Sequence, residues 1–224
     1  MTARVQTWAA TEAAAAALAE EIHVEAAGGA VEAQGPSLRG TRDRGWSVSY
    51  MIAAPRRIDL ELGSTNGGLS VRDIEGDLSL TTTNGGISLT RVGGSVRART
   101  TNGAIEAELG GERWEGDLLD VQTTNGSIDV AVPGSFSADL NASTVNGAIR
   151  TDFPVTVQGR ISKSISGRIG AGGPPVRLAT TNGAIALRRP MGSIGVLAAV
   201  AAGKKPAVQE TKSIGCGIKF PKVS

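Results

Sequence analysis

Residue types that commonly perform catalysis are scarce in this chain. His23 is the single histidine and Cys216 the single cysteine among 224 residues. A Ser-His-Asp triad therefore has one candidate base, and neither an internal disulfide nor a cysteine-rich metal cluster can form. No Gly-x-Ser-x-Gly segment is present, and His23 is interpreted as a structural or surface side chain. The sequence predicts no catalytic residue, no metal site and no cofactor.

Three alternating carboxylates resemble part of a calcium-binding loop. They are Asp73, Glu75 and Asp77. Calcium-binding nonapeptide repeats, however, place Asp after a Gly-rich turn, whereas this chain usually has Ser, Ala or Gly there. These carboxylates are therefore interpreted as solvated strand residues.

A second chemical interpretation is a polysaccharide-cleaving enzyme of the β-helix type. Such an enzyme needs clustered carboxylates and a basic residue in one groove, and fold analogy is a weak reason to expect one. The residues that suggest this chemistry, faintly, are Arg97, Arg99, Glu106 and Glu108. Polysaccharide cleavage is kept as a minor alternative.

Basic and aromatic side chains supply candidates for surface binding. Arg39, Arg42 and Arg44 lie in a Gly-rich segment, where they are candidates for contact with an anionic group. Asp43 lies among them, so a solvated loop is the competing interpretation. Trp114 lies in an insertion near residues 110–116 and is a further candidate for surface contact.

The dominant feature is an internal repeat built on Asn-Gly. The dipeptide recurs at intervals of 18, 18, 23, 21 and 36 residues. The longest interval contains a degenerate copy with Ser in the Asn position, which divides it into 20 and 16 residues. The seven predicted corners are Asn66, Asn84, Asn102, Asn125, Asn146, Ser166 and Asn182.

A finer pattern of nine residues lies within the repeat. Between residues 67 and 107, Gly recurs every nine positions, and apolar residues follow two and four positions later. This alternation predicts short, half-buried strands. Asn-Gly also favours hairpins, so an antiparallel meander is the alternative. The even spacing favours an all-β fold: a flattened, right-handed β-solenoid resembling a β-helix, with coils of about 18 residues and two short strands each.

Stacked coils would bring the repeated residues into rows. The Asn residues are expected to form a structural ladder at the corners, and a ligand-facing row of amides is the alternative. A hydroxyl residue precedes each corner by two positions: Ser64, Thr82, Thr100, Thr123, Thr144, Ser164 and Thr180. An ice-binding array is disfavoured, because Val145 and Ile165 interrupt the next row.

The ends of the chain differ from the repeat and predict three segments. Residues 1–62 are expected to cap the solenoid, 63–189 to form it, and 190–224 to be a poorly ordered basic tail. Within the first segment, Thr11–Ile22 predicts a helix with Thr11 as N-cap. Trp46–Ile52 predicts a strand by its alternation.

Charge and hydropathy exclude several partners. The net charge is +2 and aromatic residues are 3% of the chain, which argues against nucleic-acid binding. The N-terminal sequence lacks the basic and then apolar pattern of a signal peptide. The apolar stretch from 191 to 203 has 13 residues, whereas a membrane-spanning helix needs about 20.

Three motifs together carry a family resemblance: the repeated Thr-Thr-Asn-Gly-x-Ile, the stretch Asp152–Arg160, and Trp46–Tyr50. Over residues 3–188 the chain resembles the bacterial adhesin-like domain family of unknown function DUF4097, related to the toast-rack domains. The resemblance implies a β-solenoid-like fold, an exported or envelope-associated location, and no catalytic residues to carry over. The missing export signal leads us to expect a truncated gene start.

The favoured function is a non-enzymatic, adhesin-like module that binds or scaffolds at the cell surface or envelope. Its expected partner is a protein or a glycan of the envelope. The alternative is a regulatory sensor or partner-binding domain of an envelope-stress system. The sequence leaves the ligand and the oligomeric state open.

Overall fold

The computed structural model describes residues 1–27, 29–37, 43–111, 113–157, 163–190 and 212–215. Two compact units are present: residues 1–54 with 197–224, and residues 55–196. The second unit begins at Pro55, and its first strand begins at Leu60. The predicted tail, 190–224, lies outside the described residues except for Pro190 and the strand Lys212–Gly215.

The described residues of the first unit form one helix and five strands. They are β1 (Thr2–Trp8), α1 (Glu12–Glu20), β2 (His23–Ala27), β3 (Ala30–Gln34), β4 (Gly45–Met51) and β19 (Lys212–Gly215). Strand β1 lies between β19 and β4 in an antiparallel sheet, and β2 pairs with β3 in a hairpin.

Helix α1 forms where the sequence predicts a helix. Thr11 is the N-cap, and its Oγ1 accepts a hydrogen bond from the Ala14 N–H at 3.2 Å. Ala15 and Leu18 are the buried residues of the helix, and the Ala15 carbonyl accepts a 3.0 Å bond from Thr7 Oγ1 in β1. A run of strong helix formers and one small buried face therefore suffice for this element.

The described residues of the second unit form two mainly parallel sheets. Its strands are β5 (Leu60–Asn66), β6 (Leu69–Arg72), β7 (Glu75–Asn84), β8 (Ile87–Thr90), β9 (Gly93–Asn102), β10 (Ile105–Glu108), β11 (Leu118–Asn125), β12 (Ile128–Ala131), β13 (Ala138–Asn146), β14 (Ile149–Thr151), β15 (Val155–Val157), β16 (Ser164–Ile169), β17 (Pro175–Asn182) and β18 (Ile185–Arg188). The eight-stranded sheet has the order β15-β16-β13-β17-β11-β9-β7-β5, and the six-stranded sheet β14-β18-β12-β10-β8-β6.

One strand of each sheet, joined at an Asn-Gly corner, makes a coil. The six coils are β5–β6, β7–β8, β9–β10, β11–β12, β17–β18 and β13–β14 in spatial order. Neighbouring coils pair in parallel; Leu78, for example, is in register with Leu60 and Val96. Parallel pairing rules out the antiparallel meander for these strands, and the fold is β-solenoid-like.

The core lies on the alternate residues that the sequence predicts. The residue three positions after the corner Asn is 2% exposed or less in four coils, and the row consists of Ile87, Ile105, Ile128 and Ile185. These four residues are in register on neighbouring strands. Polar residues such as Glu106 alternate with them on the exposed side. Identical apolar side chains therefore stack from coil to coil.

The coils do not stack in chain order throughout. Strands β17 and β18 lie between β11–β12 and β13–β14, although they follow both in sequence. Strand β16 then pairs with the far side of β13 in antiparallel orientation, and β15 pairs with β16.

This arrangement corrects the predicted seventh corner. Ser166 lies within β16, opposite Asn141, and its Oγ donates to Asn141 Oδ1 at 2.8 Å. An antiparallel strand reverses the direction of the repeat, so Ser166 cannot lie in the parallel row of corners.

Candidate functional site

The six Asn residues of the Asn-Gly dipeptides form one continuous ladder. Five of the six donate from Nδ2 to the Oδ1 of the Asn in the neighbouring coil at 2.8–2.9 Å, and Asn66, at one end, accepts. The spatial order is Asn66, Asn84, Asn102, Asn125, Asn182 and Asn146, and all six side chains are exposed. An amide suits this role because it carries both donors and an acceptor.

The hydroxyl row forms hydrogen bonds between neighbouring coils at the same corners. The Thr residues of five coils donate from Oγ1 to a Gly carbonyl of the neighbouring coil at 2.9–3.0 Å, and they are Thr82, Thr100, Thr123, Thr180 and Thr144. These five residues are only 2–5% exposed. Their hydroxyls therefore satisfy backbone carbonyls and do not form a solvent-facing array.

Glycine is required at the corners by the close approach of backbones. A Cβ added at Gly103 would overlap the carbonyl oxygen of Gly85, and one at Gly126 would overlap that of Gly103. Only glycine allows neighbouring coils to come this close. The Thr-x-Asn-Gly unit is thus a device for stacking coils.

A polar groove lies on the exposed face of the eight-stranded sheet. Its volume is about 320 Å³, and its polar lining is Asp120, Gln122, Asn141, Ser143, Ser164 and Arg177. These residues come from β11, β17, β13 and β16, which are consecutive strands of the sheet. Ala179 lies in register between Gln122 and Ser143. The small Ala side chain leaves room between longer neighbours.

Asp120 is the fixed charge of the polar groove. The residue is 8% exposed. Arg99 Nη2 lies 2.9 Å from Asp120 Oδ2, and Gln122 Nε2 donates to both carboxylate oxygens at 3.0 and 3.1 Å. A nearly buried carboxylate needs such partners, because desolvation of an unpaired charge is costly.

Arg177 is the accessible charge of the polar groove. Its strand position is between Asp120 and Asn141, and the side chain is exposed. Among the described residues, no acceptor lies within hydrogen-bond distance of its guanidinium. Arg97 lies on the other side of Asp120 in the same row. With Arg99, three arginines surround one aspartate, and this part of the sheet favours anionic ligands.

The predicted surface-binding residues are not brought together. Arg44 is described: its Nη2 lies 3.2 Å from Glu21 Oε1. Arg39 and Arg42 lie outside the described residues. Trp114 is only 2% exposed, which corrects its prediction as a surface contact. Burial of a large indole is favourable because it removes much apolar surface from water. The insertion therefore folds with Trp114 facing the interior.

Two of the three alternating carboxylates form ion pairs with arginines. Asp73 pairs with Arg91, and Glu75 Oε2 lies 3.4 Å from Arg57 Nε. The Arg91 hydrogen bond holds the pKa of Asp73 below its usual value. Within the described residues, no group of three or more His, Cys, Asp or Glu side chains is arranged to hold a metal ion.

The residues considered for polysaccharide cleavage lie on different sheets. Arg97 and Arg99 belong to β9 of the eight-stranded sheet, whereas Glu106 and Glu108 belong to β10 of the six-stranded sheet. His23 is exposed, and its Nδ1 lies 3.2 Å from the Glu21 carbonyl oxygen.

Sequence reasoning missed the polar groove because its strands are not consecutive in the chain. Asp120 and Arg177 are 57 residues apart but in register. Their shared offset from the following Asn was a usable signal, since Asp120 precedes Asn125 as Arg177 precedes Asn182. That offset places both on the same side of neighbouring strands.

No helix in the described part of the chain is long and apolar enough to cross a membrane. This finding concerns helices alone.

The chain is similar to a known protein family and to a solved structure. A family model described as Toastrack DUF4097 matches residues 19–188. A solved structure of a candidate cell adhesion protein from Clostridium sporogenes is similar at 12% identity and a TM-score of 0.44, with 75% of this chain and 76% of that chain covered. No curated protein matches. The family match spans most of the chain and confirms the resemblance seen in the repeats, so the chain belongs to the Toastrack DUF4097 family.

Proposed function

We propose that this protein is a non-enzymatic, adhesin-like binding module of the cell surface or envelope, and that the polar groove is its contact surface. The observation that carries the proposal is the accessible guanidinium of Arg177 in a groove of about 320 Å³. It lies beside Asp120, which Arg99 and Gln122 hold by hydrogen bonds. The expected ligand is a glycan that carries acidic groups.

The chemistry of the polar groove fits such a ligand. Arg177 lines the groove, and Arg97 and Arg99 lie on the adjacent strand β9, so with Asp120 the local charge is +2. A planar guanidinium binds a carboxylate in bidentate geometry. Asn141, Ser143 and Ser164 add amide and hydroxyl groups that exchange hydrogen bonds with sugar hydroxyls. The groove residues include no aromatic side chain, so hydrogen bonds and charge supply the recognition.

The proposal includes a specific arrangement of the two sheets. We take the two sheets as the faces of a flattened, right-handed coil that serves as a rigid scaffold. A rigid scaffold favours binding, since preorganised side chains lose less entropy on contact.

The test is binding of the intact chain to a panel of acidic and neutral glycans and to envelope material. Arg177→Gln removes the charge but keeps an amide, and it should weaken binding to an acidic glycan by about tenfold or more. Arg150→Gln is the matched control, because Arg150 is an exposed arginine of the six-stranded sheet. That control should bind like the unchanged protein.

Other results would redirect the proposal. Equal weakening by both variants would indicate general charge attraction and would remove the polar groove as the site. Capture of an envelope protein without any glycan binding would favour the sensor alternative. Turnover of a polysaccharide would overturn the non-enzymatic proposal.

A further inference from the structure

All six Asn-Gly dipeptides share a chemical weakness. The Gly nitrogen can attack the Asn side-chain carbonyl carbon, which forms a C–N bond and expels ammonia to leave a succinimide. Water then opens this ring to aspartate or isoaspartate. The sum is one water consumed and one ammonia released, with no redox change. Glycine offers the least steric hindrance to the attack because it has no Cβ.

The coil stack protects the attacking nitrogen in five of the six dipeptides. In each of them the Gly N–H donates to the Asn carbonyl oxygen of the next coil at 2.9–3.1 Å, and the five glycines are Gly67, Gly85, Gly103, Gly126 and Gly183. This backbone bond engages the N–H of the nitrogen that would attack. Attack requires this bond to open first.

The sixth dipeptide, Asn146–Gly147, lies at the end of the stack. Strand β13 is the last parallel strand of its sheet, and its neighbour β16 is antiparallel, with Ser143 opposite Ser164 as the last pair. Among the described residues, Gly147 N–H has no acceptor. The carbonyl group of the same Asn146–Gly147 peptide bond does form a hydrogen bond, since it accepts from Gly183 N–H at 3.1 Å. Such a bond withdraws electron density and makes the attached N–H more acidic.

The opposite end of the ladder differs in this respect. Asn66 begins the row, and its Nδ2 donates to no described residue. Its nucleophile is nevertheless protected, since Gly67 N–H donates to the Asn84 carbonyl at 2.9 Å. Among the described residues, the direction of the corner bonds therefore leaves a Gly N–H without an acceptor at the Asn146 end and not at the Asn66 end.

We propose that Asn146–Gly147 is a specific site of deamidation and isoaspartate formation in the folded protein. The reaction places a negative charge at the end of the ladder, and isoaspartate adds one backbone carbon to the corner between β13 and β14. The inference is independent of the proposed binding function.

The test is peptide mapping of the folded chain after incubation in mildly alkaline buffer, with isoaspartate detected by enzymatic methylation and mass spectrometry. Deamidation at Asn146 should exceed that at each of the other five by on the order of tenfold, because opening one backbone hydrogen bond costs about that factor. Unfolded protein in urea should lose this preference, since all six share the same dipeptide.

Two variants serve as standards, and a second measurement checks the result independently. Asn146→Asp and Asn66→Asp supply authentic product peptides for the two ends of the ladder. Amide hydrogen exchange provides an independent measurement, in which Gly147 N–H should exchange faster than Gly67 N–H. The proposal is overturned if Asn66 or an internal Asn reacts as fast as Asn146 in the folded chain. It also fails if folding slows Asn146 as much as the other five.

Discussion

Asp73 and Arg91 directly follow β6 and β8, at equivalent turns of neighbouring coils, and form a bidentate ion pair. Arg91 Nε lies 2.6 Å from Asp73 Oδ1, and Nη2 lies 2.8 Å from Oδ2. Both residues have left-handed backbone conformations, with φ of 58° at Asp73 and 50° at Arg91. Non-glycine residues rarely adopt this conformation. The ion pair therefore joins two strained corners that lie 18 residues apart in the chain.

The Asp73–Arg91 pair predicts a dependence of stability on acid pH. The hydrogen bond from Arg91 is the main cause that lowers the pKa of Asp73 from 3.8. A carboxyl with a lower pKa in the folded state stabilises the protein above its unfolded pKa, and this contribution is lost as the pH falls through the folded value. An NMR titration should show the Asp73 pKa below 3.8.

Arg91→Gln tests the cause of that shift. It should return the Asp73 pKa towards its usual value, whereas Arg72→Gln should change it less, because Arg72 is a smaller contributor. An unchanged Asp73 pKa in the Arg91 variant would contradict the assignment.

The core row predicts an asymmetry between adjacent residues of β10. Ile105 is fully buried, and Ile105→Ala should reduce the free energy of unfolding by about 2–5 kcal/mol through the cavity it leaves. Glu106 is exposed, and Glu106→Ala should change it by no more than about 0.5 kcal/mol. Denaturant unfolding measures both. A larger effect at Glu106 would show that the strand faces are reversed.

The corner backbones predict that Gly103 tolerates no side chain. A methyl group at this position meets the Gly85 carbonyl, so Gly103→Ala should destabilise the fold by about 1–3 kcal/mol or more. Gly63→Ala is the matched control, because nothing lies within 4 Å of its added Cβ. We expect the control to be neutral or slightly stabilising, since Ala restricts the unfolded chain. Thermal unfolding of both variants compares them directly, and equal melting temperatures would argue against the close approach.

The buried hydroxyl row predicts a difference between neighbouring threonines. Thr100 Oγ1 donates to the Gly85 carbonyl at 2.9 Å, and Thr100 is 5% exposed. Thr100→Val keeps the shape but removes the donor, which should cost about 1–3 kcal/mol of the free energy of unfolding. Thr101 is exposed, and Thr101→Val should stay within about 0.5 kcal/mol. A similar cost for both would assign the effect to β propensity instead of the corner bond.

Much of the local structure follows from single residues of the repeat. Ile105 is inward and Glu106 outward as their alternation predicts, and Asn84 stacks on Asn66 at the predicted interval of 18 residues. Thr11 caps α1 as predicted. These features depend on contacts within one coil or between adjacent, similar coils, so a periodic pattern contains enough information to predict them.

The long-range features depended on the tertiary structure. Ser166 has the sequence of a corner but lies in an antiparallel strand, and Trp114 lies in an insertion but is buried. Neither outcome is visible in the repeat, since the same short motif fits a parallel or an antiparallel neighbour.

The sequence by itself determined the repeating corner, the inward apolar row and the family. Only the tertiary structure decided that residues 175–188 insert between two earlier coils, that Arg177 therefore lies beside Asp120, and that Gly147 ends the row of corner bonds. The physical reason is that every Thr-x-Asn-Gly corner offers its neighbours the same donors and acceptors. Equivalent corners specify the register between any two coils, whereas the order of the coils depends on packing across the whole unit.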